Sequence, residues 1–351
     1  MFEKSTWIRL PRNVVVGHDV LTDTGEVLRD THLRGRPLVV TSETPSTVAG
    51  EALESALAEA GFDPETIVVE TASFSAVERV RERAAAIDAG FLIGLGGGKP
   101  IDIAKMAADD RDLEFVSVPT AASHDGIVSG RGSVPEGDSR HSVAAAPPVA
   151  VVADTGVIAE APWELLTAGC ADIISNYTAV KDWQLAHRLK NVEYSEYAGA
   201  LSRMTAEMLR DNASSIKRGL EESSWLVVKA LVSSGVAMSI AGSSRPASGA
   251  EHLFSHQLDR IAPGRALHGH QVGVGSILTE YLHSGADGEW RAVRDALASI
   301  DAPTTAEGLG ITPEEVIEAL TTAHTIRDRY TILGDGIEES AALEAAMRTS
   351  V

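Results

Sequence analysis

The chain has 351 residues, 44% of them hydrophobic but only 5% aromatic, and a formal net charge of -20 with seven Lys against twenty-three Arg. So acidic a surface repels phosphate backbones and anionic lipid heads, which sets nucleic acid and membrane surfaces aside as partners. The length exceeds what one hydrophobic core usually organises, so two domains are expected, and the lysine-poor, alanine-rich acidic composition suits a cytoplasm of very high salt.

The N-terminal stretch "MFEKSTWIRLPRNVVVG" has no apolar leader core, and no apolar run is expected to approach membrane-spanning length. The single cysteine, Cys170, excludes an intrachain disulfide framework and reads as a small buried residue, so a cytoplasmic location is expected. Short β-branched runs follow at 13–17, 37–42, 66–70, 91–98, 115–120 and 148–154. Between them "PSTVAGEALESALAEAG" and "FSAVERVRERAAAIDAG" carry helical periodicity, the first ending at Gly61 and the second at Gly90. Strand and helix alternating at this spacing predict an α/β, Rossmann-like N-terminal domain with a mostly parallel sheet over residues 1–155. Within "SGRGSVPEGDSRHSVAAAPP" the "PEGD" reads as the tip of a hairpin or loop. After Asp154 the text turns to long helical patterns, as in "SEYAGALSRMTAEMLRDNASSIKRGLEES" and "TPEEVIEALTTAHTIRDRY", with no convincing strand. An all-α second domain is therefore expected over 156–351, and its apolar helices point to self-association.

"FLIGLGGGKPIDIAKMAA" is a buried strand that runs into Gly96, Gly97 and Gly98 and then into a helix. Consecutive glycines let the backbone approach a ligand, and the amides that open the next helix face an anion, for which a pyrophosphate is the natural guest. The spelling matches neither the G-x-G-x-x-G fingerprint nor the P-loop, and a tight turn without a ligand is the plainer alternative. The next strand ends in "SVPTAASHDGIVSG", which places Thr120, Ser123 and Ser129 at the carboxyl edge where α/β sheets bind ligands. Asp125 in that stretch either receives a substrate hydroxyl or caps its own loop.

Four of the eleven histidines, His252, His256, His268 and His270, fall between residues 248 and 275. His252 and His256 stand four apart, share a helix face and are spaced to grip one metal. The H-E-x-x-H pattern is absent because Glu251 precedes the first histidine, so a peptidase reading fails. His268 follows "APGRA", a turn that can begin a helix, and Asp172 in "GCADIISNYTAVKDW" is the best remote carboxylate. Imidazoles on a solvated helix are the bland alternative, and His270 reads as structural or peripheral.

Taken together, "GGGKPIDIAK", "PTAASHDGIVS", "AGCADIISNYTAVKDW", "SGAEHLFSHQLD" and "ALHGHQVGVG" resemble the archaeal sn-glycerol-1-phosphate dehydrogenases. These share a superfamily, and a dehydroquinate synthase-like fold, with iron-type alcohol dehydrogenases, glycerol dehydrogenases and 3-dehydroquinate synthases. The resemblance covers most of the chain and agrees with the salt-adapted composition. It implies a metal, zinc by expectation, on Asp172, His252 and His268, with His256 facing the substrate. It implies NAD or NADP on Gly96, Gly97, Gly98, Lys99, Pro100, Ile101 and Asp102, with Thr120, Ala121, Ala122, Ser123 and Ser129. Asp125 and Asp172 would contact the substrate, dihydroxyacetone phosphate, which would be reduced to sn-glycerol 1-phosphate for archaeal membrane lipids. The catalytic set would be Asp172, His252, His268 and His256.

In that reading the metal polarises the ketone and the nicotinamide delivers hydride to C2, while the proton arrives through water, a cofactor hydroxyl or His256. The substrate's phosphate needs a local cation, for which Arg245 and Lys181 are candidates, each with a surface role as its alternative. Glu43, after the second strand, is placed to bind a ribose diol, without fixing NAD against NADP. The competing readings are a glycerol dehydrogenase acting on unphosphorylated substrate, a 3-dehydroquinate synthase-type lyase, and a non-enzymic metal or nucleotide sensor.

Overall fold

The β-branched runs of the first half line up as six parallel strands in one sheet, and every residue of 150–154 and nearly every residue of 89–96 and 114–119 is buried. That is the pattern expected of a parallel sheet covered on both faces. The computed structural model describes residues 7–136 and 139–351, apart from the side chains of 135–142. The strands are β1 (Asn13–Gly17), β2 (Arg36–Thr41), β3 (Glu65–Val68), β4 (Ala89–Gly96), β5 (Glu114–Pro119) and β8 (Ala150–Asp154), in spatial order β1-β8-β5-β4-β2-β3. Two further strands, β6 (Arg131–Glu136) and β7 (Ser139–Ala144), pair antiparallel, with Glu136 opposite Ser139. This is the expected hairpin; Gly137 and Asp138 of its tip, like the first six residues of the N-terminal stretch, lie outside the described residues.

Helices fill the connections: α1 (Thr24–Asp30), α2 (Glu43–Pro45), α3 (Glu51–Glu59), α4 (Phe74–Ala86), α5 (Gly98–Asp109) and α6 (Thr155–Ala159). The core gathers Leu28, Leu53 and Leu57 from α1 and α3 against Val39, Phe91, Ile93, Val116 and Val152 of the sheet. α4 stops earlier than its sequence predicts. Asp88 takes the left-handed conformation at φ 52°, and Gly90 already belongs to β4. A methyl group on Gly90 would lie 2.1 Å from the Arg34 carbonyl oxygen, so this glycine serves chain packing and not the helix end.

The chain after Asp154 is helical throughout the described residues, but the division into units departs from the expected boundary at 155. One compact unit comprises residues 1–162 and 218–239, and the other 163–217 and 240–351. The reason is α9 (Glu221–Ala241), which packs in the first unit: its Ser234 hydroxyl donates to Asp125 at 2.9 Å, and Gly235 lies against Val128. α9 also corrects the expectation about apolar runs. By length and composition it alone among described helices could cross a membrane, with mean hydropathy 1.5, although half of that window is buried in the protein.

The second unit holds α7 (Trp163–Lys190), α8 (Glu196–Asp211), α10 (Ala250–Ile261), α11 (His268–Ser284), α12 (Trp290–Ser299), α13 (Pro313–Thr322) and α14 (Glu339–Thr349). α7 is buried along most of its length, with Cys170, Ala171, Ile173, Ile174 and Ala179 inaccessible. Phe254, Leu258, Val274, Leu278, Val316 and Leu320 form the core shared by α10, α11 and α13. α13 starts on a capping box, in which Thr312 and Glu315 each accept from the other's backbone amide.

Candidate metal centre and dinucleotide turn

In the second unit α11 packs tightly on α7 and α10 because small residues stand where the helices touch. A methyl group on Gly269 would lie 2.0 Å from the Ala168 carbonyl oxygen, and one on Gly273 2.9 Å from the Ala171 side chain. These two glycines, four apart, set one face of α11 against α7. His268, the first residue of α11, thereby comes beside Asp172 of α7 and His252 of α10.

One ligand atom from each of Asp172, His252 and His268 falls within 4.8 Å of the others. His252 Nε2 lies 3.6 Å from Asp172 Oδ1, close to the ~3.3 Å edge of a tetrahedron with metal–ligand bonds of ~2.0 Å. His252 Nδ1 sits 2.9 Å from Glu251 Oε1, and Glu251, fully buried, also accepts from the Thr178 hydroxyl and the Gly249 amide. His268 Nδ1 is 2.9 Å from the Ser255 hydroxyl, which donates onward to Gln271 Oε1 at 2.7 Å. In both histidines the Nδ1 proton is thus engaged, which turns the Nε2 lone pair toward the shared centre.

The electrostatics match a cation. Burial alone would lower the His252 pKa, but hydrogen bonds to Asp172 and Glu251 overcome it and push the ring up to about 9. Burial alone would raise the Glu251 carboxyl, and the hydrogen bonds from His252 and Gly249 hold it below its ordinary range. The two buried carboxylates favour positive charge at this centre, as a proton on His252 or, in its place, a divalent ion bound to the deprotonated ring. The residues present therefore fit a divalent metal with three protein ligands and an open position, as in catalytic zinc sites.

His256 does not join His252 in a paired grip on the metal; its ring stacks on that of His268, with centroids 5.6 Å apart. His270 points elsewhere, its Nε2 2.9 Å from the Thr167 hydroxyl, and burial pushes its pKa down to about 4. Lys181 is engaged by Glu280, both of whose oxygens accept from Nζ at 2.7 Å. Arg245 is half-buried, and desolvation lowers its pKa against the pull of Asp182 and Asp328. Asp182 was not singled out by sequence. It caps α10 by accepting from the Ala250 amide at 2.7 Å, and its other oxygen meets His283 Nε2 and the Ile332 amide.

In the first unit β4 delivers Gly96 to the turn, where it takes φ 143° and its carbonyl accepts from the Thr120 amide at 3.0 Å. The glycine turn and the end of β5 are thereby joined. Gly97 has nothing within 4 Å of where a side chain would begin, which leaves the backbone open to a ligand. Lys99 turns its ammonium to the Glu70 carbonyl at 2.7 Å, so its own contribution to an anion is its amide. Pro100, Ile101, Ala121, Ala122 and Ser129 are buried, as is Thr120, while Ser123 is partly exposed. Asp102 faces inward: Lys105 Nζ donates to one oxygen at 3.3 Å and the Ser133 amide to the other at 3.1 Å. The buried Lys105 also donates to the carbonyls of Gly126 and Arg131, each at 2.6 Å, and so ties the loop bearing Asp125 to α5.

The family described as "Iron-containing alcohol dehydrogenase" matches residues 15–162. Among solved structures, glycerol dehydrogenase from Schizosaccharomyces pombe is similar with TM-score 0.83 at 22% identity, over 99% of this chain and 92% of that one. A probable glycerol dehydrogenase from Sinorhizobium meliloti is similar with TM-score 0.81 at 21% identity, over 99% and 100%. The fold is thus that of the iron-containing alcohol dehydrogenase class. Curated "Glycerol-1-phosphate dehydrogenase [NAD(P)+]" sequences match this chain from end to end, at 75% identity over 100% of both chains in Halobacterium salinarum. The relative from Natronomonas pharaonis is 76% identical over 100% of both, and that from Methanosarcina mazei 55% over 98% and 96%. The chain belongs to the glycerol-1-phosphate dehydrogenase family, as its motifs led one to expect.

Proposed function

We propose that this protein reduces dihydroxyacetone phosphate to sn-glycerol 1-phosphate with NADH or NADPH, in a metal-dependent reaction that supplies the glycerophosphate backbone of archaeal membrane lipids. The observation that carries the reading is the convergence of Asp172, His252 and His268 in a chain so close to curated relatives of that activity. Zinc suits the mixed oxygen and nitrogen donors.

When bound, the metal supplies a Lewis acid for the ketone oxygen and the dinucleotide supplies the hydride for C2. Glu251 and Ser255 hold the two imidazoles in the tautomer that leaves Nε2 free for the metal. Asp172 serves both metal and substrate, and His256, stacked on His268, faces the substrate from α10. The Ser234 hydroxyl fixes the carboxylate of Asp125, the second substrate-facing acid. Gly96 through Asp102, Thr120 through Ser123 and Ser129 form the dinucleotide site, chiefly through backbone amides and the opening turn of α5. Self-association is part of the proposal, supported by the exposed apolar face of α8 with Tyr197, Met204 and Met208, and so is a cytoplasmic location, supported by the acidic, lysine-poor composition and the single reduced cysteine. Light scattering in concentrated salt should show an oligomer, and a monomer at all concentrations would remove that part.

The deciding experiment measures NADH and NADPH oxidation in high salt with dihydroxyacetone phosphate and, beside it, dihydroxyacetone, with and without chelator. Chelator-sensitive turnover of the phosphorylated ketone to the sn-1 product is the expected result. A preference for dihydroxyacetone, or no oxidation of either cofactor, overturns the reading.

A further inference from the structure

The imidazole of His124 is wedged between two glycines. A methyl group on Gly98 would lie 2.0 Å from its Nε2, and one on Gly126 would lie 2.4 Å from Cε1 and 2.5 Å from Nδ1. No other residue type fits at either position while the ring stays where it is. The ring is also oriented, because the Gly126 amide donates to Nδ1 at 3.0 Å. An Nδ1 that accepts carries the lone pair, so in the neutral ring the proton resides on Nε2. That Nε2–H lies against Gly98, the first residue of α5, next to Gly97 with its open surroundings. The loop cannot drift from this place, since the Gly126 carbonyl accepts from the buried Lys105 of the same helix.

We propose that His124 is a dinucleotide-binding residue, whose Nε2–H joins the amides of the first turn of α5 in holding the diphosphate. The proposal rests on the NAD(P)-dependent reading above. Helix α5 begins at Gly98 behind Gly97, with no side-chain cap, and its Lys99 turns the ammonium away to the Glu70 carbonyl, so the first turn brings amide donors but no side-chain donor at its mouth. His124 supplies one from a neighbouring loop, and that loop also carries Asp125. Dinucleotide binding and placement of the substrate-facing carboxylate are thereby linked through adjacent residues.

The test compares the native chain with His124→Asn and His124→Ala. Asn keeps an acceptor near the position of Nδ1 for the Gly126 amide but has nothing at the position of Nε2. NADH and NADPH dissociation constants are read by energy transfer from tryptophan to the reduced nicotinamide, without substrate or turnover, and competition with inorganic pyrophosphate isolates the diphosphate contribution. His124→Asn should melt with the native chain yet bind both dinucleotides and pyrophosphate about 10-fold more weakly, as loss of a hydrogen bond to a charged group implies. Native affinity in His124→Asn, or weakened dinucleotide binding with unchanged pyrophosphate binding, overturns the proposal. Gly98→Ala should lose structure or dinucleotide binding through collision with the ring. Adding His124→Ala to it should restore the fold, and failure to do so also counts against the wedge. If the native chain binds neither dinucleotide, it is the functional reading that fails.

Discussion

Glu251 and His252, adjacent in the chain, form a hydrogen-bonded pair with Glu251 Oε1 2.9 Å from His252 Nδ1, even though both side chains lie inside the second unit. Neighbours on a helix normally point about 100° apart, and here the carboxylate folds back at the helix start, where it also accepts from the Gly249 amide. The pair orients the imidazole and makes it a stronger donor to a metal. Glu251→Gln should weaken metal binding about 10- to 100-fold, the usual effect of losing such a partner. Chelator competition checks this, and native metal affinity in the variant would sink it.

Ser255 does the same for His268 with neutral groups. Ser255→Ala leaves His268 Nδ1 and Gln271 Oε1 without their shared partner, and should lower metal affinity less than Glu251→Gln does. The same competition assay ranks the two, and the reverse order would show that charge is not what distinguishes them.

Tight helix contact at Gly269 and Gly273 brings His268 beside the other two candidate metal ligands, Asp172 and His252. Gly273→Leu should destabilise the protein by about 1–3 kcal/mol through overpacking against Ala171 and Leu297, and should weaken metal binding with it. Thermal melting with and without added metal gives both numbers, and an unchanged melt would refute the packing argument.

His18 provides a pH-dependent prediction away from the metal. Its ring hydrogen-bonds Glu221 at 3.1 Å and neighbours Asp19, and these raise its pKa above 6.5. A raised folded value means the tie contributes fully below 6.5 and is lost as pH rises through the folded pKa. Proton NMR should place the His18 midpoint above 6.5, and Glu221→Gln should lower it toward that value, with Asp19 still holding it up in part. A native midpoint at or below 6.5 contradicts the contact.

Cys170, inside α7, has its thiol pushed up by burial. A thiolate-specific reagent should leave it untouched in the folded protein and modify it in denaturant. Rapid labelling of the native protein would show that α7 opens.

Much of this was legible in the residues because it is periodic or local. The β-branched runs found all six parallel strands to within about two residues, and the glycine run marked the turn into α5. Asp172, His252 and His268 came from the resemblance, since 80 residues separate the first two and spacing alone suggested His252 with His256. The supporting groups were harder. Glu251 served only to exclude a protease pattern, and neither Ser255 nor Asp182 carries a mark that separates it from ordinary helix residues. Their roles exist only once α7, α10 and α11 are packed. The signal available was the four-residue spacing of Gly269 and Gly273 in "HGHQVGVG", which announces a close helix contact. The return of α9 to the first unit was not legible, because α9 reads like its helical neighbours in composition and only its contacts with Asp125 and Val128 assign it there.

The return of residues 218–239 to the first unit has a consequence for biosynthesis. A ribosome makes the sheet first, but the helix that completes that unit emerges only after α7 and α8, which belong to the other. Neither unit can close before part of its counterpart has been synthesised, so the two halves mature as an interleaved pair. Releasing the chain after Asp154 would yield a sheet lacking α9 and its grip on the Asp125 loop, and the order of translation itself delays the anchoring of that loop until about two-thirds of the polypeptide exists.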